Sequence, residues 1–189
     1  MRLVLATRNE HKVRELDAML DGVEVVALPA DVRLPPETGA TFAANALVKA
    51  RKAARATGEA AVADDSGIEA AALGGAPGVR SARYAGEHAT DAENLAKLIA
   101  EVPPGSALAY VCVIALADPS AGRERTFEGR CTGTMAAAPR GAGGFGYDPV
   151  FIPDDRDDGL TMAEIGAAEK AAISHRGRAA RALLAALRA

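Results

Sequence analysis

Hydrophobic positions in the first third of the chain form short apolar runs and stretches with a spacing of three or four residues. The apolar runs predict buried strands, whereas the wider spacing is typical of helices with one buried face. Gly22 and Gly58 follow the two helical stretches and predict where they end. The predicted elements are a strand over 2–6, a helix from about 11 to 21, a strand over 23–28 and a helix from Thr41 to about Thr57.

The rest of the chain continues this mixture of strands and helices. An apolar run over 61–63 comes first, and a longer one over 107–117 is followed by the turn residues DPSAG, which predict an antiparallel neighbour over 123–132. The other predicted elements are strands over 68–73 and 150–152, a helix from Asp91 to about Glu101 capped by Thr90, a short helix near 161–165 and a final helix from about 175 to 188. The pattern predicts one α/β domain over residues 1–189, with a mixed sheet flanked by helices.

The composition excludes several classes of protein. Lysine and arginine number 22 against 25 acidic residues, so the net charge of −3 gives no electrostatic footprint for duplex nucleic acid. No run of about 18 apolar residues is present, so we expect no membrane span. The N-terminus does not resemble a signal peptide, and Cys112 and Cys131 form neither a disulfide framework nor a zinc site. We therefore expect a cytoplasmic protein.

Two adjacent carboxylates, Asp64 and Asp65, follow the apolar run at 61–63 and precede Ser66 and Gly67. An apolar run that delivers acidic residues into a glycine-containing bend is a common way to hold Mg²⁺ against a phosphate. The ion prefers hard oxygen ligands and uses only one or two carboxylates. The plainer interpretation is an acidic turn that merely ends a strand.

A second polar segment, TRNEHK at 7–12, lies between the first strand and the first helix. Backbone N–H groups at the start of a helix favour anions, and Lys12 adds a positive charge that suits a phosphate. Asn9 could instead simply cap the helix.

Glu37 and the pair Asn45 and Lys49 form a third candidate group. Glu37 lies in a loop and could be a second metal ligand. Asn45 and Lys49 are four residues apart on the predicted helix, so they share one face. The alternative is an ordinary solvated face, which most helical lysines occupy.

Two further motifs are candidates for recognition of a purine base. The segment GGFGYDP at 143–149 presents Phe145 and Tyr147 beside Asp148, and an aromatic face can stack on a base, although both rings could instead fill the core. Lys170, His175 and Arg176 are donors that would favour a 6-keto over a 6-amino group.

Together these motifs resemble the Ham1/RdgB family of non-canonical purine nucleoside triphosphate pyrophosphatases, also called inosine triphosphate pyrophosphatases. The matching segments run nearly end to end: LATRNEHKVREL, ETGATFAANALVKA, ADDSGIEAAALGGAPGVRSARYAG, GGFGYDP and EKAAISHRGRA. The resemblance implies Mg²⁺-dependent hydrolysis of ITP, dITP and XTP to the monophosphate and pyrophosphate, usually by a homodimer. It also implies an elongated α/β fold with two lobes around a central cleft.

The resemblance also implies roles for individual residues. Asp65 matches the catalytic acceptor and metal ligand, Glu37 matches a proposed metal ligand, and Ser66 matches a substrate contact. The implied phosphate-binding loop is Thr7, Arg8, Asn9, Glu10, His11 and Lys12, and the implied base-binding residues are Phe145, Gly146, Tyr147, Asp148, Lys170, His175 and Arg176.

Two positions depart from the family pattern. Arg8 stands where the family often has Gly or Ser, which would change the shape or charge of the phosphate loop. Ala44 stands where a Glu often precedes the Asn, so Glu37 and Asp65 would have to organise the metal without it.

The mechanism expected from the resemblance is metal-assisted attack of water on the α-phosphorus. Asp65 would either accept the proton of that water or hold the metal. Two alternatives remain at this point. One is a Maf-like pyrophosphatase acting on modified pyrimidine or other nucleotides, and the other is a nucleotide-binding sensor without turnover.

Overall fold

The computed structural model describes residues 2–188, which contain six strands and five α-helices. The strands are β1 (Arg2–Leu5), β2 (Glu24–Ala27), β3 (Ala61–Ala70), β4 (Ala107–Asp118), β5 (Arg123–Met135) and β6 (Phe151–Pro153). The helices are α1 (Glu10–Met19), α2 (Phe42–Thr57), α3 (Asp91–Glu101), α4 (Ala167–Ile173) and α5 (His175–Arg188).

The six strands form one mixed sheet in the order β2-β1-β3-β4-β5-β6. β1 lies parallel to both of its neighbours: Val4 is opposite Val26 of β2 and Ala61 of β3. β5 and β6 are antiparallel, with Thr134 opposite Ile152. The predicted mixed sheet with flanking helices is therefore confirmed.

The chain divides into two compact units, and the divisions fall within β3, β4 and β5 and at the start of α5. The first unit contains the residues up to Asp65, Cys112–Gly129, and the residues from Arg176 onward, whereas the second contains Ser66–Val111 and Arg130–His175. Each unit has its own apolar core. The buried core residues of the first are Leu3, Leu5, Leu16, Leu20, Val62, Cys112, Ile114, Leu116, Phe127, Ala179, Ala180 and Leu183.

The core of the second unit is richer in aromatic and sulfur-containing side chains. It includes Ile68, Leu98, Val102, Leu108, Tyr110, Cys131, Met135, Tyr147, Val150, Phe151, Met162 and Ile165. The chain has no Trp and only 4% aromatic residues, and the buried rings of Tyr110, Tyr147 and Phe151 all lie in this core.

Capping residues explain why the predicted helix boundaries agree closely with the structure. The side chain of Asn9 accepts hydrogen bonds from two backbone N–H groups at the start of α1, and Thr41 does the same for one at the start of α2. Gly58 ends α2 with a φ of 73°, a conformation that glycine adopts without strain. Thr90 and Glu93 form a reciprocal capping box at the start of α3.

The predicted bend at Asp64–Gly67 is wrong, because β3 is one continuous strand from Ala61 to Ala70. Asp64 and Asp65 form ion pairs and hydrogen bonds within the first unit, so both can remain buried in a strand. Gly67 serves close packing: a Cβ there would lie 2.4 Å from the Ser81 hydroxyl oxygen and 2.5 Å from the Gly78 carbonyl. The predicted end of the following strand is also different, since residues Ala71–Leu73 form a 3₁₀ turn.

The predicted helix at 161–165 is also wrong. Those residues form turns, and the helix in this region is α4, which begins after Gly166. The Thr161 hydroxyl donates a hydrogen bond to the Arg140 carbonyl, and the Thr161 backbone N–H donates to the Glu164 side chain. These local bonds compete with a helix at this point.

Among residues 2–188, no helix has both the length and the apolar composition that crossing a bilayer requires.

Neighbouring residues on α3 provide a test of the core of the second unit. Leu98 is fully buried, whereas Ile99 is 39% exposed. We expect Leu98→Ala to lower the free energy of unfolding by about 2–5 kcal/mol, because it removes buried methyl groups and leaves a cavity. Ile99→Ala is the matched control and should cost much less. Urea unfolding followed by circular dichroism measures both, and equal effects would contradict the packing described here.

Candidate active site

Asp64 and Asp65 point to opposite faces of β3, because successive side chains of a strand alternate. Asp64 contacts residues of α1 and α5, whereas Asp65 contacts residues of α2. The two adjacent carboxylates therefore have different environments and different roles, although they are chemically identical.

Asp64 is fully buried and forms ion pairs with two cations of the first unit. Its Oδ2 lies 3.0 Å from Lys12 Nζ and 3.3 Å from Nη2 of Arg176. The other terminal nitrogen of Arg176, Nη1, donates to Glu15. Burial alone would raise the pKa of Asp64, but Lys12, Arg176 and Lys49 outweigh that effect and lower it. Asp64 is thus a charged structural anchor for both cations.

Asp65 is also buried, with 4% of its surface exposed, and it lies at the centre of a smaller network. Asn45 donates to its Oδ2 at 2.9 Å, and Lys49 Nζ lies 3.7 Å from its Oδ1. Lys49 also donates to Glu37, so the two carboxylates that sequence analysis singled out share one ammonium group.

Asn45 connects this network to the loop that carries Glu37. Its side-chain oxygen accepts a hydrogen bond from the Gly39 backbone N–H at 2.7 Å, while its nitrogen donates to Asp65. The amide therefore fixes the distance between the loop and the strand.

The pKa values of the network reflect its burial. Removal from water raises the pKa of Asp65, and the nearby charge of Glu37 adds to this, while Lys49 and Asn45 act in the opposite direction. Burial lowers the pKa of Lys49, but Asp64, Asp65 and Glu37 more than compensate and raise it. Lys49 is consequently fully protonated at neutral pH, and Asp65 is more basic than an ordinary aspartate.

The donor set around Asp65 fits Mg²⁺. Among residues 2–188, no group of three or more His, Cys, Asp and Glu side chains could hold a metal unaided. Mg²⁺ does not need such a cage, because it is usually bound by one or two carboxylates together with waters and substrate phosphates. Glu37 and Asp65 are two hard oxygen donors gathered around one cationic position, which matches this requirement.

The loop between β1 and α1 is held by its own polar side chains. Asn9 Oδ1 accepts from the N–H groups of His11 and Lys12, and the Asn9 N–H donates to Thr7 at 3.2 Å. Helix capping by Asn9, the alternative raised above, is therefore present in the structure. Glu10 opens α1 and is exposed.

Arg8 is one of the two departures from the family pattern, and its side chain binds backbone carbonyls of the segment that follows β2. Its guanidinium donates to the carbonyls of Leu28 at 2.8 Å and Val32 at 3.1 Å, and also to that of Pro29. Arg8 thereby joins the β1–α1 loop to the segment that follows β2.

In the second unit, Asp148 gathers several candidate base-binding residues. Its Oδ2 accepts from Lys170 Nζ at 2.6 Å and from the Phe145 N–H at 2.9 Å, and its Oδ1 accepts from the Tyr110 hydroxyl at 3.1 Å. Lys170 Nζ also lies 5.0 Å from the centre of the Phe145 ring, within cation–π distance. Gly144 permits this close approach, since a Cβ there would lie 2.0 Å from Asp148 Oδ2.

The other predicted base-binding residues have distinct positions. His175 is buried and stacks on Tyr110 with ring centres 4.5 Å apart. The Tyr147 hydroxyl donates to the Ser81 carbonyl at 2.7 Å, so this ring is part of the core, and the Gly146 N–H donates to Asp91 at 3.2 Å. Ser66 follows Asp65 on β3 and is half-buried.

The structure groups the predicted residues into two sets, each within one unit. Glu37, Asp65 and Lys12 belong to the first unit, and Phe145, Asp148, Lys170 and His175 belong to the second. Arg176 was predicted to bind the base with Lys170 and His175, but it forms ion pairs with Asp64 and Glu15, which are in the first unit. Its role in base binding stays a prediction.

Sequence analysis did not assign roles to four residues that belong to these networks. The i, i+4 spacing of Asn45 and Lys49 was a usable signal, since it placed both on one face of α2. Asp64 was considered together with Asp65 as a carboxylate that could hold Mg²⁺, and its ion pairs with Lys12 and Arg176 were not predicted. Tyr110 gave no signal, because it lies within a long apolar strand.

Comparison with known proteins shows the family of the chain. A family model described as the Ham1 family matches residues 3–186. The chain belongs to the Ham1 family. A dITP/XTP pyrophosphatase of Mycolicibacterium paratuberculosis is 50% identical over 194 residues, which cover 98% of this chain and 95% of the relative.

Solved structures of Ham1 proteins have the same fold. The HAM1 protein from Coxiella burnetii is 41% identical, with a TM-score of 0.88 over 99% of this chain and 98% of the other. The Staphylococcus aureus Ham1 protein is 35% identical, with a TM-score of 0.86 over 100% and 98% of the two chains. The family and fold class inferred from the motifs are confirmed.

Replacing Asp64 tests whether it is the structural anchor of the first unit. We expect Asp64→Asn to lower the free energy of unfolding by about 3–5 kcal/mol, because it leaves buried Arg176 and Lys12 without their shared carboxylate. Asp158→Asn, at an exposed pair with Arg156, is the control and should have little effect. Urea unfolding measures both, and a fully stable Asp64→Asn protein would contradict this role.

Proposed function

We propose that this Ham1-family chain hydrolyses the non-canonical purine nucleoside triphosphates ITP, dITP and XTP to the monophosphate and pyrophosphate, with Mg²⁺. The observation that carries the proposal is the buried Asp65, held by Asn45 and Lys49 and sharing the Lys49 ammonium with Glu37. The names of relatives such as the dITP/XTP pyrophosphatase of M. paratuberculosis support the substrate class.

The first unit would bind the triphosphate. Glu37 and Asp65 would hold Mg²⁺, which, when bound, neutralises charge on the phosphates and orients pyrophosphate as the leaving group. Lys12 lies at the first turn of α1, where the backbone N–H groups and the positive end of the helix also favour an anion. Because Asp64 fixes Lys12, the cation is positioned before substrate arrives.

The chemical step would be attack of water on the α-phosphorus, with cleavage of its bond to the bridging oxygen of pyrophosphate. Asp65 would either accept the proton of the water, a role that burial favours while no metal is bound to the carboxylate, or hold the Mg²⁺ that lowers the pKa of that water. Lys12 and Lys49 would stabilise the negative charge of the phosphate oxygens. Fixed charges of this kind are usually a main source of rate enhancement in phosphoryl transfer.

The second unit would recognise the base. Phe145 would stack on the purine, while Lys170 and His175 would donate hydrogen bonds to the 6-keto oxygen. A 6-amino group would place N–H groups against these donors and leave buried donors unsatisfied, at a cost of about 1–3 kcal/mol each. GTP also has a 6-keto group, so its rejection must act at the 2-amino position.

The proposal includes a homodimer and a cytoplasmic location. The resemblance of the motifs to the family supports the first. The composition of the chain, with neither a basic footprint nor a long apolar run, supports the second.

A substrate panel is the direct test of this function. We expect pyrophosphate release from ITP, dITP and XTP, with a kcat/KM that exceeds the value for ATP by roughly 10²-fold or more if two donor clashes act together. GTP should also be a poor substrate. Comparable efficiency with ATP and ITP would refute the donor argument, a preference for modified pyrimidines would indicate a Maf-like enzyme, and binding without pyrophosphate release would indicate a sensor.

Asp65→Asn tests the chemical role of the carboxylate. We expect kcat with ITP and Mg²⁺ to fall by at least about 10²-fold, because the amide cannot accept the proton of the water. The exposed Asp157→Asn is the control, and wild-type protein in excess EDTA gives the metal-free baseline. Near-normal turnover by Asp65→Asn would show that the assignment is wrong.

A further inference from the structure

Tyr110 lies in the apolar part of β4 and is buried within the second unit. Three of its contacts are to side chains: a hydrogen bond to Asp148, a stack on His175 and a tilted contact with Phe151. Two of these partners, Asp148 and His175, belong to the proposed base-recognition residues. Tyr110 is therefore a link between them.

The hydroxyl of Tyr110 completes the environment of the Asp148 carboxylate. Lys170 and the Phe145 N–H both bind Oδ2, whereas Tyr110 binds Oδ1. With donors at both oxygens, the carboxylate is held in one rotational position. Lys170 and the Phe145 loop are in turn held by the same carboxylate, so the orientation of Asp148 sets the positions of both.

The ring of Tyr110 stacks on the His175 imidazole. The two rings are nearly parallel, with an angle of 7° and centres 4.5 Å apart. Phe151 packs against Tyr110 with ring centres 4.6 Å apart and an angle of 36°. Tyr110 thus contacts the rings of both Phe151 and His175, and its ring supplies a flat surface parallel to the imidazole.

Other tyrosines of the second unit show that this arrangement is particular to Tyr110. The Tyr147 hydroxyl donates to a backbone carbonyl, that of Ser81. Tyr84 donates to Glu101, which is exposed and is not among the candidate site residues. Both link parts of the fold, whereas Tyr110 contacts two residues that would face the substrate.

We propose that Tyr110 is a positioning residue for base recognition, acting through Asp148 and His175. The inference rests on the proposed function of those two residues. Its consequence is a division of effects: Tyr110 should influence how tightly and how selectively the base is bound, and should leave the reaction at phosphorus unchanged. In kinetic terms, its loss should raise KM and leave kcat near the wild-type value.

Tyr110→Phe removes the hydroxyl and keeps the stacked ring. We expect KM for ITP to rise by roughly three- to tenfold, as for loss of one hydrogen bond to a charged group, with kcat within about twofold of wild type. The preference for ITP over ATP should fall. Tyr84→Phe is the matched control, since it also removes a tyrosine–carboxylate bond in the same unit, and its kinetics should equal those of wild type.

A merely structural tyrosine would behave differently. Its loss would lower the melting temperature without changing the ratio of kcat/KM values for ITP and ATP. An unchanged KM and base preference in Tyr110→Phe would overturn the proposal. Tyr110→Leu, which also removes the stack on His175, gives a second reading and should impair base preference more than Tyr110→Phe does.

A double-mutant cycle tests whether Tyr110 acts through Asp148. If it does, Tyr110→Phe combined with Asp148→Ala should have a KM within about twofold of Asp148→Ala alone, because residues that act together are not additive. If the two substitutions instead raise KM independently, so that the increase in the double variant is the product of the two single increases, the proposal is overturned. The single variants Asp148→Ala and His175→Ala separate the hypothesis of the base site from that of the role of Tyr110. If Asp148→Ala and His175→Ala both leave KM and base preference unchanged, the proposed base site is wrong; if they change them and Tyr110→Phe does not, only the role of Tyr110 is wrong.

Discussion

The first unit depends on a buried carboxylate that is charged. Asp64 is fully buried, which is unfavourable for an ion because it loses its contact with water. Lys12 and Arg176 compensate, and the two cations come from helices at opposite ends of the chain. The ion pairs therefore join α1 and α5 to β3, and they fix the position of Lys12, the cation that we propose binds a phosphate.

Asp65, the next residue, has a different balance of charge. Asp64 is surrounded by cations, so its pKa is lowered, whereas Asp65 shares Lys49 with Glu37 and its pKa is raised by burial. The difference arises because successive side chains of a strand point to opposite faces, so two adjacent residues have different neighbours. One carboxylate stabilises the unit, and its neighbour is the one that we propose acts as a base or a metal ligand.

Much of the fold follows from local sequence, because the signals that determine it are local. Thr41 and Gly58 mark the ends of α2 almost to the residue, and the apolar run at 107–117 identifies β4. The continuity of β3 could not be predicted in the same way. Asp, Ser and Gly are unfavourable in strands, and Arg176, a partner that makes Asp64 acceptable there, lies 112 positions away.

The candidate site shows the same limit. Asp65 and Glu37 were identifiable from their residue types and motifs, but the function of Asn45 as a bridge between Gly39 and Asp65 appears only in three dimensions. Tyr110 is an extreme case, since nothing in an apolar strand distinguishes a tyrosine that orients a carboxylate from one that fills space.

The bridge at Asn45 imposes a requirement on the glycine it binds. A Cβ at Gly39 would lie 2.6 Å from the Asn45 side-chain oxygen and 2.9 Å from the Ala44 Cβ. The constraint is one of volume rather than of backbone conformation, unlike that at Gly74, where φ is 62° and nothing lies within 4 Å. Even alanine at position 39 would displace the Asn45 amide that holds Asp65, so the smallest possible side chain in this loop would disturb the position of the carboxylate.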